Sequence, residues 1–212
     1  MEKRNMTISI VQARNWFNSG NKQLQKLALQ VFDRKELTSD FRRIVTFKDA
    51  CEVLGLRHNT ANIIRTFSRS TSAMYKLNII RQALNLGCDL SLTRDPKSSY
   101  LYYPCNPFMT SSSTYYDSEL NSGEMEVIGK IRSEGEEYNI LGGKAINGSD
   151  GGLGSFCSDD GIGFAYTNFG FLGCASKEIA KHFGKYFGML ITTAKYADII
   201  KDFEVIESKY II

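Results

Sequence analysis

SKEIAKHFGKYFGMLI, residues 176–191, is the stretch on which the fold turns. Ser176 is suited to cap a helix, because its hydroxyl oxygen can accept a backbone N–H left unpaired in the first turn. Behind it Ile179, Ala180, Phe183, Phe187, Leu190 and Ile191 recur at three- and four-residue spacing, which makes one side of that helix continuously apolar. Gly184 and Gly188 stand one turn apart on the same helix. Each glycine costs about 1 kcal/mol against alanine in a helix interior. Their presence therefore predicts that another element approaches the backbone closely there.

The chain before this helix has to supply what packs on it. Segment 142–173 is rich in glycine, interleaved with Phe156, Phe164, Tyr166, Phe169 and Phe171. That composition is unsuited to helix and fits either tight turns with aromatic packing or a mobile loop. Short β-type runs at 100–103, 125–131, 138–141 and 162–166 are bounded by glycine and acidic turns, and they predict a small antiparallel sheet. All three prolines, Pro96, Pro104 and Pro107, fall within twelve residues and mark a junction.

Upstream of the junction the sequence reads as short helices with explicit punctuation. Ser9 with Gln12 forms a capping signature ahead of Val11, Ala13, Trp16 and Phe17, and Gly20 closes that segment. Leu24, Leu27, Ala28, Val31 and Phe32 put an apolar stripe on a second helix, after which Asp33 opens a short turn. Thr46 with Asp49 starts another helix, lined by Phe47, Ala50, Cys51 and Leu54 and stopped by Gly55. Ser72 opens a fourth, with Tyr75, Ile79, Ile80, Ala83 and Leu84 inside and Gly87 beyond its end. The expectation is an α+β protein. Residues 1–90 form a helical, basic half, and residues 91–212 form an acidic half with a small sheet, Tyr- and Gly-rich strands and loops, and a closing helix. The two halves are free to share one core.

Charge divides along the same line. Residues 1–97 carry 17 Lys and Arg against 8 Asp and Glu, whereas residues 98–212 carry 9 against 15. The halves attract each other, within a subunit or between subunits, and the basic half could also face nucleic acid. No run approaches the roughly 18 apolar residues of a membrane helix, and the opening MEKRNMTISI lacks a secretory h-region, so synthesis and residence in a cytoplasm are expected. Cys51, Cys88, Cys105, Cys157 and Cys174 are widely spaced without a C-x-x-C pair, which favours free thiols over a disulfide framework or zinc site.

Catalytic fingerprints are missing from the sequence: there is no G-x-S-x-G, H-E-x-x-H, Walker or Rossmann pattern. The only histidines are His58, in a turn beside Arg57 and Asn59, and His182, at the border of the apolar stripe. The run 147–152 with Asp159 and Asp160 has oxygen ligands for calcium, but its spacing fits no EF-hand and Asp-Gly turns account for it. No catalytic, metal or cofactor residues are therefore expected. Ala50, Leu54, Gly55 and Leu56 resemble the first helix and turn of a helix-turn-helix, with Arg57, Arg65 and Arg69 following. Together with Arg42, Arg43 and Arg81 they are the candidate nucleic-acid contacts, although an ordinary helical corner produces the same pattern. Tyr100, Tyr102, Tyr103, Tyr115 and Tyr116 could form a carbohydrate-stacking platform; the simpler expectation is that alternate tyrosines face the core.

Three segments carry a resemblance. TISIVQARNWFNSGNKQLQKLALQVFDRKEL (7–37) gives a helix, a Gly-Asn turn and a second helix. TFKDACEVLGL (46–56) continues through YKLNIIRQALNLG (75–87) to Tyr102, Tyr103 and Pro104. FLGCASKEIAKHFGKYF (171–187) is a serine-capped closing helix. In this order they resemble an uncharacterised family found in gut bacteria of the Bacteroides group and their phages, crAss-like phages among them. Where relatives carry tryptophan, this chain has Cys88 and Cys105. The resemblance brings no catalytic residues. It implies a phage or mobile-element origin, hence a virion structural or accessory protein made in the host bacterial cytoplasm. Its partners would be other virion or assembly proteins, further copies of itself included. The alternative is a cytosolic accessory factor that binds nucleic acid through the basic half.

Overall fold

The computed structural model describes residues 8–17, 19, 21–37, 40–56, 67–86, 88, 101–148 and 172–210. The expected strand at 162–166, most of the glycine-rich segment, and Arg57, Arg65, His58, Tyr100 and Cys157 lie outside the described residues. In chain order come α1 (Ile10–Phe17), α2 (Lys22–Val31), α3 (Arg34–Leu37), a 3-10 turn (Phe41–Arg43), α4 (Phe47–Leu54) and α5 (Arg69–Leu84). Then follow β1 (Leu101–Cys105), β2 (Phe108–Thr110), α6 (Asp117–Asn121), β3 (Glu126–Ser133), β4 (Glu136–Gly142), β5 (Lys144–Gly148), α7 (Lys177–Tyr196) and β6 (Glu204–Ser208). The architecture is mixed helix and sheet, with a helical first half and a long helix after the strands.

α7 is the wall shared by two cores. On one side α5 packs against it and α4 packs on α5, and Ile44, Cys51, Leu77, Ile80, Phe183 and Ile191 are fully buried there. On the other side Met189 meets Phe108, Ile128, Ile131 and Ile140 from the sheet and Phe203 from the turn before β6. The first core takes residues from both sequence halves, so they share it. α5 runs antiparallel to α7. At one end Ser70 Oγ donates to the Thr193 carbonyl (3.3 Å) and accepts from the Asp198 N–H (3.2 Å). At the other, Arg81 Nε donates to the Gly173 carbonyl (3.1 Å) and Asn85 Oδ1 accepts from the Ala175 N–H (2.8 Å).

Capping chemistry fixes the helix starts. Thr46 and Asp49 form a reciprocal capping box, and Gly55 ends α4 in the left-handed conformation at φ 66°. Ser176 Oγ accepts the Ile179 N–H at 3.2 Å. α5 departs from expectation: its cap is Ser68, which accepts the Thr71 N–H, and the helix starts before Ser72. The extra turn is held by tertiary contacts to the end of α7, which no local periodicity encodes. Tyr75 is correspondingly exposed, while Ala73 and Leu77 turn inward.

The sheet is a bent antiparallel ribbon. β1 pairs with β5 and β2 pairs with β4, so two long strands break together, one at Asn106–Pro107 and the other at Gly143. Gly143 takes φ 103°, where a Cβ would lie 2.8 Å from the Glu124 carbonyl. The tight contact foreshadowed by the two helix glycines is at this bend. Asn106, 1% exposed, donates through Nδ2 to the carbonyls of Leu141 (2.9 Å) and Gly184 (2.8 Å), and its side chain lies directly against Gly188. β3 and β4 form a hairpin closed by Glu134 (φ 52°) and Gly135 (φ 82°), both in the left-handed region that two-residue hairpins favour. β6 adds to the other edge of β3, with Ile206 as a bulge residue. Three of these strands were not anticipated: β5, inside a glycine-rich stretch read as tight turns or a mobile loop, and the short β2 and β6; nor were α6 and the 3-10 turn.

Candidate interaction surface

Three surface features compete for a functional reading. The first is a polar pocket of about 490 Å³ between α7 and the β2–β3 connection, which includes Glu124, Glu126, Lys181, His182 and Lys185. Glu126 is its centre: Lys185 lies 2.8 Å away, Lys209 forms a second ion pair, and Tyr210 donates its phenol at 2.6 Å. Partial burial opposes the charge, but those three donors outweigh it and bring the carboxyl down to about 2. A carboxylate that acidic is a permanent anion at neutral pH and a poor proton acceptor. Lys181 is likewise engaged, 3.6 Å from Glu124. His182 Nε2 hydrogen-bonds the Ile44 carbonyl at 2.8 Å, which makes that nitrogen the donor, and burial lowers its pKa below the usual imidazole range. Its ring lies edge-on to Phe41 and tilted against Tyr186. These groups tie α7 to the 3-10 turn and to β3.

The second feature is an apolar cleft at the other end of α7. Phe108 and Ile131 are its buried floor, and Tyr138, Tyr196, Ile199 and Ile200 complete its apolar lining. Its volume of about 290 Å³ sits at the bottom of the range for small-molecule sites, about 300–1,000 Å³. Phe108 and Tyr196 meet edge to face at 5.1 Å. Ile199 stands 79% exposed on the turn after α7. Glu134 joins the lining from the β3–β4 turn, and Glu136 accepts the Tyr138 hydroxyl at 3.0 Å.

The third feature is α2. α1, α2 and α3 enclose a small cluster of Ala13, Ala28 and Leu37, separate from the cores around α7. Arg14 Nε reaches the Glu36 carbonyl at 3.0 Å to tie α1 to α3. Of the expected stripe on α2, Ala28 is buried, whereas Leu27 and Val31 are 44% and 56% exposed and Leu29 is exposed on the flank. The arm is too small to cover the helix it contains.

Of the candidate nucleic-acid arginines, Arg57 and Arg65 lie outside the described residues, and the other four differ in what they hold. Arg81 holds the Gly173 carbonyl, and Arg69 donates to the Phe203 carbonyl at 3.3 Å while its guanidinium sits over the Phe203 ring. Both are positioned by the fold's own acceptors. Arg42 pairs loosely with Asp40 and lies beside the exposed Arg43 on the 3-10 turn. Among the described tyrosines, Tyr103 and Tyr116 are buried and unavailable for stacking, and Tyr115 packs edge-on against Tyr116 at 4.9 Å. Among the described residues Cys51, Cys88, Cys105 and Cys174 are free thiols, and no group of three His, Cys, Asp or Glu side chains is arranged to hold a metal. Nor is any described helix long and apolar enough to cross a membrane. The cleft was missed in the sequence; its one visible signal is Ile199–Ile200, apolar residues that continue past the end of the helical stripe.

No protein-family model, curated protein or solved structure matches this chain.

Proposed function

We propose that this protein is a structural or accessory component of a phage particle and works through protein–protein contacts rather than a reaction. The observation that carries this reading is the exposure of Leu27, Leu29 and Val31 on one ten-residue helix, in an arm with its own small core. Aliphatic side chains clustered on a helix are the usual anchors of helix-in-groove recognition. The resemblance to a family of Bacteroides-group bacteria and their phages supplies the setting. Mass spectrometry of purified particles, together with light scattering of the isolated protein, tests it. Recovery of the chain in particles at a fixed stoichiometry is the expected result. A protein that is absent from particles and monomeric at high concentration overturns it.

The nucleic-acid alternative keeps Arg42, Arg43, Arg57 and Arg65, since Arg69 and Arg81 serve internal contacts. It predicts a gain of mass on a DNA duplex at low salt that disappears as salt rises. Loss of that gain in an Arg42→Ala/Arg43→Ala variant would revive it.

A further inference from the structure

We infer that the partner of α2 is a second copy of this chain, and that α2 docks in the apolar cleft formed by Phe108, Ile131, Tyr138, Tyr196, Ile199 and Ile200. The inference rests on the reading of the protein as an assembly component and names the contact. Leu27 and Val31 stand four residues apart, so they project from the same side of α2 about 6 Å apart along its axis. The cleft, at about 290 Å³, suits one or two aliphatic side chains rather than a cofactor.

Charge selects the pair. The arm, residues 8–37, carries Arg14, Lys22, Lys26, Arg34 and Lys35 against Asp33 and Glu36, a net of +3. The two segments that form most of the cleft, 132–138 and 195–204, carry Glu134, Glu136, Glu137, Asp198, Asp202 and Glu204 against Arg132, Lys195 and Lys201, a net of −3. Arg132 is spent on Glu137 (3.0 Å) and Glu204 (2.9 Å), and Lys195 lies over the Tyr196 ring. Glu134 belongs to the cleft lining itself. A basic helix with two aliphatic anchors and an apolar cleft set among acids complement each other in both respects.

The two surfaces are different patches of one molecule, so every contact joins an arm to a cleft. Each subunit offers an arm and a cleft, which gives a filament or a closed ring, the smallest ring being a dimer that exchanges arms reciprocally. One ten-residue helix buries less than the roughly 1,200 Å² of a standard interface, so each contact is weak alone and gains strength from repetition.

The test mixes two variants of the full chain. Leu27→Asp/Val31→Asp disables the arm, and Ile199→Asp disables the cleft; all three positions are exposed, and circular dichroism verifies that both variants fold. The wild type is expected to grow in mass with concentration, and to lose mass as salt rises. Each variant alone is expected to stay monomeric, while an equimolar mixture forms a dimer and nothing larger, because one intact arm and one intact cleft remain. Light scattering reads all four. Self-association of the Ile199→Asp variant like wild type would mean that α2 packs on α2 of a neighbour, and would overturn the inference. A mixture that stays monomeric would overturn it too. A monomeric wild type that is nonetheless recovered in particles would refute this contact and leave the assembly role standing.

Discussion

Replacing Gly188 by alanine sets two opposing effects against each other at the centre of α7. Alanine is the better helix former by about 1 kcal/mol, so on propensity alone the variant gains stability. A Cβ at Gly188, however, would fall well inside contact distance of Asn106 Nδ2 and Ile128 Cδ1, and 2.9 Å from Asn106 Cγ. The Ile128 terminus can rotate, but Asn106 is fixed by its bonds to Leu141 and Gly184. Moving it breaks two buried hydrogen bonds, at about 1–3 kcal/mol where a group is left unsatisfied. Overpacking adds about 1–3 kcal/mol. The net expectation for Gly188→Ala is a loss of about 2–4 kcal/mol, or roughly 5–15 °C in Tm for a chain of this size. Gly184→Ala is the internal control, since its Cβ would meet Pro104 Cβ at 3.1 Å and Asn106 Oδ1 at 3.5 Å, distances that a few tenths of an ångström relieve. It should stay within about 1 kcal/mol of wild type. Urea titrations followed by circular dichroism measure both. A double-mutant cycle with Asn106→Ala should show coupling of at least about 0.5 kcal/mol, because the clash disappears with its partner. A Gly188→Ala protein as stable as Gly184→Ala, or an additive cycle, would refute this account of the bend.

Three further outcomes follow from the same chemistry. Because the Glu126 carboxyl is held at about 2, below the ordinary value of 4.5, its stabilising contribution is complete above pH 4.5. It fades as pH falls toward 2, so Glu126→Gln should lose about 1–2 kcal/mol at neutral pH, discounted for partial exposure, and flatten the acid limb of a stability-versus-pH curve. Asn106→Asp would aim a carboxylate at the Leu141 and Gly184 carbonyls. Its unfolding midpoint should therefore lie well below wild type at pH 7 and recover in part as acid restores a donor, the opposite pH trend to Glu126. In a Cys157→Ser background, native protein at pH 8 should take up a thiol reagent first at the exposed Cys88. Cys105 and Cys174, which burial pushes up to about 12, should react only on unfolding, as peptide mapping would show.

What was legible in the sequence was local chemistry. The capping box at Thr46 and Asp49, the left-handed Gly55 and the cap at Ser176 depend on residues a few positions apart, and all are where the sequence places them; the glycine pair at 184 and 188 signals crowding locally, although Asn106 and Ile128 supply it from a distance. Failures arise where a distant partner decides. Ser68 and Ser72 are equally good caps by local rules, and only the docking of Ser70 on Asp198 selects the earlier one. β6 lacks clean alternation because Ile206 is a bulge, which puts Glu204 and Glu207 on one face, beside Arg132 and Lys130. β5 hides in a glycine-rich stretch because it borrows its order from β1. The arginines looked alike as a basic set, yet Arg69 and Arg81 point at carbonyls 134 and 92 residues away in the chain. The cleft depends on turns at 134–135 and 197–200 meeting in space, and no pattern within either turn announces that.

α7 has one more consequence, and it concerns time rather than space. The helices that pack on one of its sides and the strands that pack on the other are all translated before it, except β6. At about 5–20 residues per second, α4 and α5 wait on the order of ten seconds for the helix that completes their core. Through that interval a nascent chain exposes two half-cores and a ribbon bent around nothing, a state that invites chaperone binding and punishes crowding on a polysome. Slow codons anywhere between α5 and α7 would lengthen the exposure without changing a single residue of the product.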